Sequence, residues 1–265
     1  MYLALLALLP VFLILFYVYK RDIDPEPIKT VGITFALGAV SAIVAIPLEL
    51  VASNILVMLG LEGTDLALGV ETLWGVAAIE EVCKWAVIMI YIWNHKDFDD
   101  SYDAIVYCVT ASLGFAALEN LLYVFQNGLE VAILRAVTSI PGHTCFGVFM
   151  GFFLAKAKHH MYHNRLSDYR LMIVLSLAVS ILVHGIYDFF ALSGNIAGLL
   201  VIILAMDVTG FIIIQHCFKN DHPMTRTKKP FRRRLRPFRL LLMPTARPNP
   251  TLLRHAIPNK PCLQR

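Results

Sequence analysis

The sequence predicts an all-α fold, a polytopic transmembrane helix bundle of about seven spans. Of its 265 residues, 58% are hydrophobic and only 16% are charged, whereas soluble domains carry about 25% charged residues. The mean hydropathy is +0.66. The apolar residues gather in runs near the roughly 20 residues that a helical span needs. These observations exclude an ordinary soluble domain and indicate a multi-pass protein of the cell membrane.

Seven apolar runs are predicted to span the membrane, at about residues 3–19, 30–52, 70–93, 103–126, 131–155, 171–192 and 196–217. The first run has no basic segment before it and no small-residue cleavage site after it, so a retained signal anchor is expected. Basic residues gather at alternate ends of the runs, and positive residues favour the cytoplasmic side. This pattern predicts an N-terminus outside the cell and a C-terminus in the cytoplasm.

Two regions of opposite charge follow each other along the chain. Residues 1–218 are predicted to form the membrane core and carry a net charge of −8, whereas residues 219–265 carry +12. The segment KKPFRRRLRPFR (Lys228–Arg239) resembles a polybasic stretch that lies on anionic lipid. Repeated proline without apolar periodicity predicts a disordered cytoplasmic tail. No nucleic-acid partner is expected, since topology alone places basic residues on this side.

Ionisable residues interrupt four of the predicted spans. The third, WGVAAIEEVCKWAVIMIYIW, carries Glu80, Glu81 and Lys84 at its middle, although each charge near the bilayer centre costs about 2.5 to 3.5 kcal/mol. The later spans add Glu119 and Asn120, then His143, then His184 and Asp188. Ionisable residues within a membrane are candidates for function, with partners expected among themselves.

The depths of these residues are predicted to coincide. At 1.5 Å rise per residue, Glu80 lies about 14 Å from the outer end of its span and Glu119 about 10 Å. His143 and His184 lie about 18 Å and 12 Å from the outer ends of theirs. A single polar layer at or just outside the midplane is therefore expected.

Helical spacing predicts contacts within this layer. Lys84 follows Glu81 by three residues and Glu80 by four, so its ammonium can reach either carboxylate. One of the two is then held ionised while the other can serve as a base. Asp188 lies one turn after His184 and can fix the tautomer of the imidazole.

Structural readings stay open beside the catalytic one. The Glu-Glu-Lys cluster can be a proton relay or a salt bridge between helices, and Glu119 or His143 can simply join helices. Gly147 and Gly151 predict a close helix contact. The following polar or thiol groups are expected to be structural: Glu49, Glu130, Arg135, the acidic residues 97, 99, 100 and 103, and the five cysteines, which form no CxxC pair. Asp207 lies inside the seventh span without a predicted partner.

The ordered motifs resemble the PrsW family of intramembrane proteases. They are EExxK at Glu80, FxxxEN at Phe115, HxxxG at His143 and HxxxD at His184. DIDPEP at residues 22–27 also resembles the acidic, proline-containing segment of that family. The resemblance extends to CAAX prenyl endopeptidases and Abi proteins, whose motifs are EExxxR, FxxxH and HxxxN. Here Lys84 comes one residue earlier than their arginine and Glu119 replaces their histidine, which disfavours a prenyl-cysteine substrate.

The resemblance implies cleavage of a peptide bond in or beside the membrane. In the family's best-known case, a single-pass anti-sigma factor is cut at site one on its extracytoplasmic side. All eight polar residues of the four spans become candidate site residues, and two mechanisms stay open. Glu80 can activate water with both histidines assisting, or His143, His184 and a carboxylate from Glu119 or Asp188 can hold Zn²⁺. A non-catalytic scaffold and a proton-coupled transporter remain as alternatives.

Overall fold

The computed structural model describes residues 2–221, and their regular secondary structure is helical. This confirms the all-α prediction for that part of the chain. The predicted disorder and lipid binding concern the tail, which lies outside the described residues except for 219–221. The α-helices are α1 (Tyr2–Lys20), α2 (Ile28–Met58), α3 (Asp65–Val70), α4 (Ala78–Val87), α5 (Asp103–Asn127), α6 (Leu129–Val137), α7 (Ser139–Tyr162), α8 (Leu166–Leu192) and α9 (Ile196–Lys219).

Within residues 2–221, five helical segments are long and apolar enough to span a membrane: α2, α5, the α6–α7 pair, α8 and α9. They correspond to five of the seven predicted spans. The first predicted span corresponds to α1, whose apolar part, Ala4–Lys20, is shorter than the five segments above. The third is a composite element, in which the π-helical segments Glu71–Ala77 and Ile88–Ile92 flank α4.

Helix α5 forms the centre of the bundle because glycines let its neighbours come close. A Cβ atom added to Gly38 on α2 would lie 2.2 Å from the carbonyl oxygen of Ala111, and one on Gly114 would lie 2.1 Å from that of Phe35. On α7, a Cβ at Gly147 would lie 2.9 Å from the Cα of Val109. The close helix contact predicted around Gly147 is therefore present, and α5 is its partner.

The π-helical segment Glu71–Ala77 brings α8 against the composite third element. A Cβ at Gly185 would meet Leu73 Cδ1 at 2.7 Å and its Cα at 3.0 Å. A π turn contains an extra residue, so it changes the direction in which the following side chains point, and such turns are frequent at functional sites. Gly185 directly follows His184, so this contact fixes where that imidazole meets α4.

Candidate active site

The ammonium group of Lys84 lies at the centre of a buried polar cluster between α4, α5, α7 and α8. Its Nζ atom is 2.9 Å from Glu80 Oε2 and 2.8 Å from Glu81 Oε1, as helical spacing predicted. A third contact, of 3.1 Å, reaches Nδ1 of His143 on α7. An ammonium group has three N–H donors, so these three acceptors satisfy it completely.

The partners of His143 define its tautomer. Lys84 can only donate a hydrogen bond, so His143 Nδ1 accepts it, and the proton of the neutral ring lies on Nε2. That nitrogen lies 2.9 Å from Oε2 of Glu119 on α5, which accepts its hydrogen bond. His143 thus links the Lys84 ammonium on one side to a carboxylate on the other.

His184 faces carboxylates with both ring nitrogens. Nδ1 lies 3.0 Å from Glu81 Oε1, and Nε2 lies 3.2 Å from Asp188 Oδ2, one turn away as predicted. Nε2 is also 3.9 Å from Glu80 Oε2. Ionised carboxylates accept and do not donate, so this surrounding favours a ring that carries a proton on each nitrogen.

Aromatic rings close the cluster from the apolar side. Phe146 stacks on the His184 ring with a centroid distance of 4.3 Å. The Phe115 ring lies 4.3 Å from Lys84 Nζ, within the range of a cation–π contact. These rings exclude water from the ammonium and the imidazole, and low polarity strengthens the charge pairs that they cover.

Arg135 on α6 completes the network, although its sequence position indicated only a structural role. Its guanidinium lies 2.9 Å from Oε1 of Glu119, and its Nε donates to the side-chain oxygen of Asn120 at 2.9 Å. Asn120 in turn donates to the carbonyl oxygen of Ala7 on α1. The pair Glu119–Asn120 is therefore divided, with Glu119 facing His143 and Asn120 tethering α1.

Of two other acidic residues within the helices, Glu49 interacts with the cluster, whereas Asp207 contacts a cysteine. Glu49 on α2, expected to be structural, lies close enough to interact electrostatically with Lys84, Glu119 and His184. Asp207 lies 3.5 Å from the Sγ atom of Cys145 on α7. Sequence spacing offered no signal for Glu49 or Arg135, because both reach the site from helices without a catalytic motif.

The cluster has an open side and a closed side. The Glu119 and Asp188 side chains are 21% and 20% exposed, whereas those of Glu80 and Glu81 are 6% and 0% exposed. Seven of the eight residues singled out in the sequence thus form one connected network, which Asn120 joins through Arg135. The exposed edge of this network is formed by Glu119 and Asp188.

Three side chains of this network could hold a metal ion. Glu80, Glu81 and His184 are all buried and offer ligand atoms within 4.8 Å of one another. Glu81 Oε2 is buried and has no hydrogen-bond partner in the described part of the chain. Together with Glu49, Glu119 and Asp188 the site holds five carboxylates against the two permanent cations Lys84 and Arg135. A zinc ion requires a neutral imidazole, so His184 would have to release one ring proton on binding. With that proton released, the carboxylate and imidazole donors and the excess negative charge fit a zinc ion. His143 and Glu119, which were also expected as ligands, hydrogen-bond to each other and lie outside this donor group.

A buried acid–base network between helices that are long and apolar enough to span a membrane is typical of a multi-pass membrane enzyme. Residues 26–214 match the family described as PrsW family intramembrane metalloprotease. The chain belongs to this family, and it is an intramembrane protease.

Similar proteins that carry the name Protease PrsW agree with this assignment. Protease PrsW of Oceanobacillus iheyensis is 36% identical over 180 residues, which cover 68% of this chain and 78% of the relative. Protease PrsW of Bacillus subtilis is 37% identical over 179 residues, covering 66% and 76%. Protease PrsW of Clostridioides difficile is 32% identical over 191 residues, covering 70% and 77%. No solved structure matches the chain.

Proposed function

We propose that Glu80 is the general base that activates water for peptide-bond hydrolysis. The observation that carries this proposal is the unequal bonding of the two adjacent glutamates. Glu81 Oε1 is held by both Lys84 and His184, whereas Glu80 has a single hydrogen bond among the described residues, from Lys84. A carboxylate with fewer donors keeps more of its capacity to accept a proton.

The neighbouring groups support the remaining steps of the hydrolysis. As water attacks the carbonyl carbon, Glu80 takes one of its protons and an oxyanion forms. His184, whose two nitrogens both face carboxylates, can donate a hydrogen bond to that oxyanion or a proton to the leaving amine. Lys84 and Glu81 are positioning residues, because their hydrogen bonds hold Glu80 and His184 in place and their own side chains do not face the open side.

A metal-dependent reaction is the second candidate, favoured by the Glu80, Glu81 and His184 donor group and by the unpartnered Glu81 Oε2. These three residues would hold the ion. A bound Zn²⁺ would polarise the carbonyl and lower the pKa of bound water. Asp188 would then orient the His184 ring through the nitrogen that does not bind metal, and His143 would stay hydrogen-bonded to Glu119.

For the substrate, we propose a single-pass membrane protein, such as an anti-sigma factor, cut in or next to its transmembrane segment on the extracytoplasmic side. The predicted depth of the polar layer supports this, since all four motifs are predicted to lie at or just outside the midplane. The partly exposed carboxylates Glu119 and Asp188 mark the edge where a peptide could approach. The proposal includes seven spans, an external N-terminus and a cytoplasmic C-terminus.

Cleavage by purified protein tests the role of Glu80. Glu80→Gln keeps the shape of the side chain but removes the proton acceptor, so we expect cleavage of a single-pass substrate to fall at least 100-fold in a folded protein. The matched control is Glu130→Gln, which alters an exposed glutamate and should cleave like the wild type. Wild-type turnover by Glu80→Gln would eliminate Glu80 as the base.

The metal content of the same preparations separates the two candidates. If the donor group holds zinc, the wild type and His143→Ala contain one zinc per chain, while His184→Ala and Glu81→Gln lose it. Full activity after exhaustive chelation would instead support proton transfer by Glu80 without a metal.

A further inference from the structure

A second group of buried carboxylates lies at the far end of α5 from the active site. Asp22 and Glu26, in the DIDPEP loop between α1 and α2, meet Asp103 at the first residue of α5. Only 6%, 4% and 1% of these residues is exposed, and they offer ligand atoms within 4.8 Å of one another. Asp103 precedes Glu119 by sixteen residues, about 24 Å along the helix, so the two clusters are separate.

Each of the three carboxylates accepts at least one hydrogen bond. Asp103 Oδ2 accepts hydrogen bonds from the backbone nitrogens of Asp99 and Asp100, at 2.9 and 2.7 Å. Asp22 Oδ1 accepts one from the backbone of Asp24 at 3.2 Å, and Glu26 accepts one from the hydroxyl group of Tyr107. The side chains are thereby held in place.

The second oxygen of Asp22 has no partner. Asp22 Oδ2 is fully buried and makes no hydrogen bond within residues 2–221, which is costly for a carboxylate. A buried polar atom of this kind points to a missing ligand. Since it belongs to a group with two other carboxylates, the ligand it indicates is a cation.

Among the described residues, the surroundings of the three carboxylates hold more negative than positive charge. Lys158 is buried nearby and interacts electrostatically with Asp103 and Glu26, but its Nζ donates to the carbonyl oxygen of Phe98 at 2.5 Å. Further acids, at positions 97, 99, 100 and 221, add negative charge to the group.

We propose that Asp22, Glu26 and Asp103 bind a hard divalent cation, Ca²⁺ or Mg²⁺, which ties the α1–α2 loop to the beginning of α5. The donors are all oxygens, which these ions prefer to nitrogen or sulfur. The cation site is structural and independent of the chemistry at Glu80. Binding of the cation stabilises the folded bundle, because the unfolded chain does not hold the three carboxylates together.

Terbium luminescence and thermal unfolding of the full-length protein in detergent test this proposal. Tb³⁺ replaces Ca²⁺ in oxygen-rich sites and emits when a nearby tyrosine is excited, and Tyr107 contacts Glu26. We expect saturable emission from the wild type, displacement by Ca²⁺ or Mg²⁺, and a higher unfolding temperature with either ion. In Asp22→Asn the Tb³⁺ affinity should fall at least tenfold and the thermal shift should disappear.

Two controls assign the signal to this cluster. Asp24→Asn removes an exposed carboxylate two residues away and should bind like the wild type. Glu80→Gln alters the active site and should also keep the signal. Absence of saturable binding in the wild type, unchanged binding in Asp22→Asn, or loss of binding in Glu80→Gln would each overturn the proposal. If Asp22→Asn does not fold, Glu26→Gln takes its place, and the wild type and Glu80→Gln still decide whether a site exists outside the active centre.

Discussion

The Nζ atom of Lys84 lies 3.1 Å from Nδ1 of His143, which joins α4 to α7 across 59 residues of sequence. This contact links the Glu-Glu-Lys motif and the HxxxG motif of His143 into one network. Because the ammonium also bonds both glutamates, Lys84 makes three hydrogen bonds within the site.

Replacing Lys84 by methionine should destabilise the protein and abolish proteolysis. The change leaves Glu80 and Glu81 buried without their cation, and losing one partner of a buried ion pair costs about 3 to 5 kcal/mol. Thermal unfolding and substrate cleavage in detergent measure the two effects. Lys96→Met is the control, since its side chain is 87% exposed. A stable, active Lys84→Met variant would show that the network does not need the ammonium.

Replacing Arg135 by methionine should lower activity through Glu119 and His143. Without the guanidinium at 2.9 Å, Glu119 can move away from His143, and a misplacement of about 1 Å can cost on the order of 100-fold in rate. The kcat for a soluble peptide substrate should fall, and Arg135→Lys should restore part of it.

The control for this effect is Arg165→Met, which removes an exposed arginine and should leave kcat unchanged. Equal activity of Arg135→Met and the wild type would return Arg135 to a purely structural role at the end of α6.

Gly185→Ala should impair catalysis without altering any reactive group. Its new methyl group would lie 2.7 Å from Leu73 Cδ1, so α8 must shift and carry His184 with it. Overpacking of this kind costs about 1 to 3 kcal/mol. Gly32→Ala, whose added Cβ meets no atom within 4 Å, provides the comparison in both unfolding and cleavage assays. Identical behaviour of the two variants would mean that the bundle absorbs the shift.

Removing residues 222–265 should leave proteolysis of a detergent-solubilised substrate intact. The cut follows Asp221 because its carboxylate accepts hydrogen bonds from the Tyr102 backbone and the Ser101 hydroxyl. The truncated protein should attach more weakly to anionic vesicles, because each Lys or Arg near the membrane surface contributes about 1 kcal/mol to this attachment. Co-sedimentation at low and high salt measures this attachment. A loss of cleavage as large as that of Glu80→Gln would place the tail in the active architecture.

The composition and helical spacing by themselves determined the fold class and the contacts within single helices. Hydropathy is summed over about 20 neighbouring residues, so it identifies membrane spans without knowledge of their packing. Contacts three or four residues apart follow from helix geometry, which is why Lys84 with its two glutamates and His184 with Asp188 could be predicted.

The tertiary structure decided which helices share the site. Three contacts join separate helices: that between Lys84 and His143, that between His184 and Glu81, and that between Arg135 and Glu119. The spacing of residues along the sequence does not predict them. They depend on how closely α7 and α8 approach their neighbours, which the small residues Gly147 and Gly185 and a π-helical turn control. The cluster of Asp22, Glu26 and Asp103 arises in the same way, because a loop and a helix end become neighbours only when the bundle has formed.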